Sequence, residues 1–120
     1  MSESAADLAF VRELFSGMGS VTTRRMFGGA GLYAGDVMFG LIDDGRVFLK
    51  TDPTLATDLA AAGAVPWIYT RAQTPPQKSS YLSLPESALD DPDEACDWGR
   101  RALAAAQAKK AAPPKRSRKG

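Results

Sequence analysis

Arg24-Arg25-Met26-Phe27-Gly28-Gly29-Ala30-Gly31-Leu32-Tyr33 runs into Ala34-Gly35-Asp36, then Val37-Met38-Phe39-Gly40-Leu41-Ile42, Asp43-Asp44-Gly45 and Arg46-Val47-Phe48-Leu49-Lys50. Short apolar runs separated by glycine and aspartate are the pattern of an antiparallel meander. Asp44-Gly45 is the strongest signal in it, because a two-residue type I′ turn needs positive φ at both central positions. Residues 37–42 are apolar on both faces, which predicts a central strand. Residues 21–27, 30–33 and 46–50 supply its neighbours. Arg24 and Arg25 fall on opposite faces of their strand, since side chains alternate. Gly28-Gly29 is read as a break or bulge.

On either side of this meander the periodicity changes. Leu8, Val11, Phe15 and Met18 recur at three- and four-residue steps, with Leu14 widening the stripe. This predicts an amphipathic helix over 4–18. Ser4 and Asp7 suit its start, and Gly17 and Gly19 its stop. After the meander, Asp52-Pro53 places an N-cap and a first-turn proline before a short helix carrying Leu55 and Leu59 and closed by Gly63. Strands follow at 67–70 and 79–84, separated by a loop that contains Pro75-Pro76. Asp91-Pro92-Asp93-Glu94 then opens a last helix. Trp98, Ala102 and Ala105 are expected on its buried face, with Leu103 at the margin, and Ala111-Ala112-Pro113-Pro114 is expected to stop it. The reading is an α+β fold: a curved antiparallel sheet of about five or six strands flanked by N- and C-terminal helices. Residues 1–110 form the domain and 111–120 a basic disordered tail. Phe39 and Trp98 are expected to be its large buried side chains.

Composition excludes several chemistries. The 120 residues include no histidine and one cysteine, Cys96. This removes the commonest general base and any Cys/His metal site. No acidic loop has the EF-hand spacing. No metal and no cofactor is expected, and an enzyme is the least favoured class. Gly29-Ala30-Gly31-Leu32-Tyr33-Ala34 matches G-x-G-x-x-A. A strand follows it rather than the helix that would hold a pyrophosphate, so it is read as sheet glycines. The lone cysteine, the polar N-terminus and the lack of a long apolar run predict a cytoplasmic protein with no membrane contact. Trp67, Trp98, Tyr69 and Tyr81 offer rings for stacking, but core and interface roles explain them more simply. Cys96 is read as a structural thiol. The acids Asp43, Asp44, Asp90, Asp91, Asp93 and Glu94 are read as turn and capping groups.

The residues Arg24-x-Met26-Phe27-Gly28-Gly29-x-Gly31-Leu32-Tyr33, Gly35, Met38-Phe39, Asp44-Gly45 and Leu49-Lys50-x-Asp52 resemble the N-terminal domain of the TfoX/Sxy competence regulators. Trp67-Ile68-Tyr69, Ser80-Tyr81, Leu84-Pro85 and Trp98 with Ala102 extend the resemblance over roughly 8–108. It implies a curved antiparallel sheet with flanking helices. It also implies a non-enzymatic role in transcription co-regulation, with the cyclic-AMP receptor protein as partner. The full-length regulators carry a further helical domain, where this sequence has a short Pro- and Lys/Arg-rich stretch. The resemblance brings no catalytic residues with it.

The leading reading is therefore a regulatory or protein-interaction domain that binds through its sheet or sheet edge, with Arg24 and Arg25 as candidate contacts and a homodimer among the expected assemblies. The alternative is weak nucleic-acid association through the C-terminal cations. Net charge is +1, but Lys109, Lys110, Lys115, Arg116, Arg118 and Lys119 account for six of the 15 basic residues. The remaining nine face all 14 acids, so residues 1–108 carry a net −5. The body is a poor polyanion surface and the tail a good one. If the tail binds, affinity for duplex DNA falls with salt with a log–log slope of at most about −5, reached when all six cations touch phosphate. Deleting 111–120 removes four of the six and is expected to abolish most binding in a low-salt titration. Equal binding by both forms, or by neither, would remove the tail from consideration.

Overall fold

The computed structural model describes residues 5–26, 29–68 and 78–111. Helix α1 (Ala5–Leu14) leads through a 3-10 turn (Ser16–Met18) into the strands β1 (Val21–Met26), β2 (Gly29–Ala34), β3 (Val37–Asp43) and β4 (Arg46–Lys50). Helix α2 (Pro53–Ala61) carries the chain to β5 (Pro66–Ile68), and β6 (Lys78–Ser83) returns to the sheet. A second 3-10 turn (Glu86–Ala88) precedes helix α3 (Pro92–Ala111). The six strands are ordered β1-β2-β3-β4-β6-β5 and every pair is antiparallel. β3 is central, as its two-sided apolar pattern predicts.

Local residue chemistry accounts for most joints. Asp44 (φ 53°) and Gly45 (φ 78°) both adopt the left-handed conformation that a tight hairpin between β3 and β4 requires. The Asp52 carboxylate caps α2, accepting a 2.8 Å hydrogen bond from the Leu55 amide, and Asp91 accepts from the Glu94 amide at 3.3 Å to start α3. Pro66 opens β5 on the outer edge of the sheet, where a missing N–H costs least.

All three described α-helices pack on one face of the sheet. Their Leu8, Val11, Leu55, Leu59, Ala95 and Ala102 share a single core with sheet residues such as Leu32, Ile42, Val47 and Leu49. The deepest contact joins Phe15, just past α1, to Phe39 of β3. Both are fully buried, with ring centroids 5.6 Å apart and planes at 80°. A strand in strict alternation would not place Phe39 there. Leu32 pairs with Gly40 and Tyr33 with Met38, so Phe39 is an extra residue in β3. This bulge turns Phe39 onto the helix side. Gly40, next to it, carries no side chain where a Cβ would meet the Phe48 carbonyl oxygen at 2.7 Å. Gly29 is paired within β2.

Helix α3 departs from expectation. Its buried seam runs Ala95, Gly99, Ala102, Ala106, steps of four, three and four that suit one helical face. At Gly99 the helix comes so near the 3-10 turn that a Cβ would meet Met18 Sδ at 2.6 Å and the Phe15 ring at 3.1 Å. Trp98 lies one position off this seam and is partly buried, packed against the core from its margin; Ala105 is partly buried as well. The Trp98 indole N–H donates to Glu94 Oε2 at 3.1 Å, and Arg101 stands over its ring. Expectations for Ser4, Phe27, Gly28, Tyr69, the loop around Pro75-Pro76 and the tail beyond Ala111 lie outside the described residues.

Phe39→Ala is expected to cost about 3–5 kcal/mol through the cavity it leaves, and Met38→Ala, on the opposite face, about 1 kcal/mol or less. Urea denaturation of the two variants measures the difference. Equal costs would contradict the bulge.

Candidate functional site

The face of the sheet opposite the helices carries a different chemistry. Arg24, Gly31, Leu41 and Phe48 form one cross-strand row, Thr22, Tyr33 and Met38 another, and Lys50 pairs with Tyr81 beside them. Cross-strand partners share a face, so these side chains project together. Contacts bear this out. A Cβ on Gly31 would meet the Tyr33 ring at 2.9 Å and Met38 Sδ at 3.2 Å, so those two side chains close over the glycine.

Cations stand on the rings of this face. Arg24 Cζ lies 4.6 Å from the Tyr33 ring centroid, Arg46 Cζ 5.7 Å from Phe48, and Lys50 Nζ 5.5 Å from Tyr81. Each pairing is attractive through the ring quadrupole. The rings also brace one another: Trp67 meets Tyr81 edge-on at 5.8 Å and Phe48 at 6.3 Å. The Trp67 indole N–H donates to Asp43 Oδ2 at 2.9 Å, which fixes the ring in place. Burial pushes the Tyr81 phenol pKa above its ordinary 10.0, and the nearby Tyr33 adds to the shift.

Sequence-predicted residues separate here. Arg24 joins this face and is exposed. Arg25 is exposed on the other side of the same strand. Trp67 and Tyr81 come together, whereas Trp98 lies on α3. Lys109 and Lys110 sit on the last turn of α3, and Lys115, Arg116, Arg118 and Lys119 lie outside the described residues. Cys96 is buried, with its thiol 3.6 Å from the Leu14 carbonyl oxygen. Sequence reasoning missed Tyr33, Arg46, Phe48 and Lys50 as parts of one surface. The signal available was alternation: Arg46, Phe48 and Lys50 are two apart on one strand.

A cleft of about 370 Å³ opens at the end of β4, lined by Gly45, Arg46, Val47, Leu84, Glu86 and Leu89. Arg46 and Glu86 are its charged members. Among the described residues no group of three or more metal-ligating side chains comes together, and no helix is long and apolar enough to cross a membrane.

Residues 13–106 match the family model of the TfoX N-terminal domain. No curated protein matches the chain.

The Tyr81 shift has a sign that pH can test. Folding favours the neutral phenol, so its contribution to stability is complete below pH 10.0 and is lost as pH rises through the higher folded value. Tyr81→Phe keeps the ring and removes the ionisation. It is expected to lose less stability than the parent between about pH 8 and about pH 11, read from urea midpoints. Identical losses would mean that Tyr81 is not desolvated.

Proposed function

The chain belongs to the TfoX N-terminal domain family, and on that premise we propose that it is a non-enzymatic interaction module that holds a protein partner on the helix-free face of its sheet. One observation carries this reading: Arg24, Arg46 and Lys50 stand on aromatic rings of that face while the helices pack on the other. Groups held over rings lose less side-chain freedom on binding than free ones do, which favours recognition. Tyr, Trp and Arg are also the residues that dominate interface energetics. The specific form of the proposal is co-regulation of transcription in the cytoplasm, with the cyclic-AMP receptor protein as the partner that the resemblance implies. A second reading rests on the six cations in residues 109–120, where no acid occurs. They suit weak, salt-sensitive contact with nucleic acid.

A photo-cross-linking amino acid placed at Met38, on the open face, is expected to trap a protein adduct in cells. The same group at Thr57, exposed on α2, is expected to trap none. Equal adducts at both positions, or none at Met38, would overturn the assignment of this face.

A further inference from the structure

The charges of the molecule are unevenly committed. Arg100 pairs with Asp97 at 3.2 Å and Arg101 with Asp58 at 2.7 Å. Arg12 donates to Thr23. Arg24 and Arg46 are each exposed and contact a ring instead. The body that carries them is otherwise acidic. Arg24 and Arg46 thus give this face two exposed guanidinium groups, with Asp43 opposite Arg46 in the β3–β4 register; local cations of this kind attract a complementary anion against the net negative charge of the body.

Their spacing adds shape. Tyr33 is on β2 and Phe48 on β4, so the strands that carry the two rings are two spacings apart, roughly 10 Å across the sheet, and the rings are also one cross-strand row apart along it. β3 lies between them and contributes Met38 and Leu41. Leu41 is 5% exposed and Met38 half-buried, so the floor between the two cations is apolar and close-set.

Resting on the interaction role proposed above, we infer that the occupant of this face is an acidic protein segment whose carboxylates flank an apolar side chain. The carboxylates meet Arg24 and Arg46, and the apolar side chain lies on Met38, the partly exposed member of the floor. Arginine is suited to this because its planar fork binds a carboxylate through two hydrogen bonds while its flat face stays on a ring. Two other occupants are disfavoured. A base stack of single-stranded nucleic acid needs open ring faces, and here cations stand over Tyr33, Phe48 and Tyr81. A second copy laid face to face would bring like charges together.

The test uses the full chain and fluorescence anisotropy at low salt. The probes are a labelled amphipathic peptide of Glu and Leu, its Gln-for-Glu counterpart, and a labelled oligothymidylate. The Glu peptide is expected to bind, with the Gln peptide at least about tenfold weaker, since charge-assisted bonds are lost. Arg24→Glu with Arg46→Glu is expected to weaken the Glu peptide by about tenfold or more. Arg12→Glu with Arg100→Glu, on α1 and α3, serves as the charge-matched control and is expected to stay within about twofold. Circular dichroism checks that each variant is folded. Equal binding of the Glu and Gln peptides, retention by the double variant, or no peptide binding at all would overturn the inference. Tighter binding of oligothymidylate that depends on the same two arginines would replace it with nucleic-acid recognition. If these outcomes occur while Met38 still traps a protein adduct, the face is an interface whose partner is not acidic. If the adduct is absent too, the interaction role itself falls.

Discussion

The fold depends on one inserted residue. Side chains on a strand alternate, so residues an odd number apart point to opposite faces. Val37 pairs with Ala34, which is packed against the core, and Ile42 lies in the core; they are five apart. Both can face the helices only if β3 gains a residue between them, and Phe39 is that residue. The bulge does three things at once. It turns the ring of Phe39 into the core against Phe15, leaves Gly40 as the gap that Leu32 and Leu49 fill, and sends Met38 and Leu41 to the other face. The buried side and the open side of the sheet are thus set by the same event.

Much of the framework was legible in the sequence because it is encoded locally. Asp44-Gly45, Asp52-Pro53 and Asp91-Pro92 each announce a turn or helix start within a few residues, and the structure places each where those residues predict. The bulge was not legible, because an extra residue is defined only against a partner strand. The residue at the insertion is a phenylalanine, which carries no turn or bulge signal of its own. The half-burial of Trp98 was hidden for a related reason. A large apolar residue on an amphipathic helix suggests the seam, but the approach to Met18 and Phe15 needs the smallest side chain at the closest point, and Gly99 supplies it.

The candidate surface was the least legible feature. Arg24 was singled out as a residue, but its ring partner Tyr33 is brought to it by the β1–β2 pairing. Lys50 meets Tyr81 across a gap in sequence that holds a whole helix and a strand. Trp67 likewise finds Asp43 from the far edge of the sheet. Paired cations and rings of this kind are properties of register. The division of charge, by contrast, could be counted in advance: an acidic body and a basic C-terminal stretch.

Cys96 shows how such packing makes a private clock. Its thiol is sealed between α3 and the corner where α1 ends, 3.6 Å from the Leu14 carbonyl oxygen and against Gly17. A reagent reaches it only when that corner opens, so the labelling rate reports the frequency of opening rather than the reactivity of sulfur. Because the sequence holds one cysteine, no second thiol blurs the reading. A partner that clamps the sheet from the opposite side would register there as a slower tick, felt through the core without touching the sulfur.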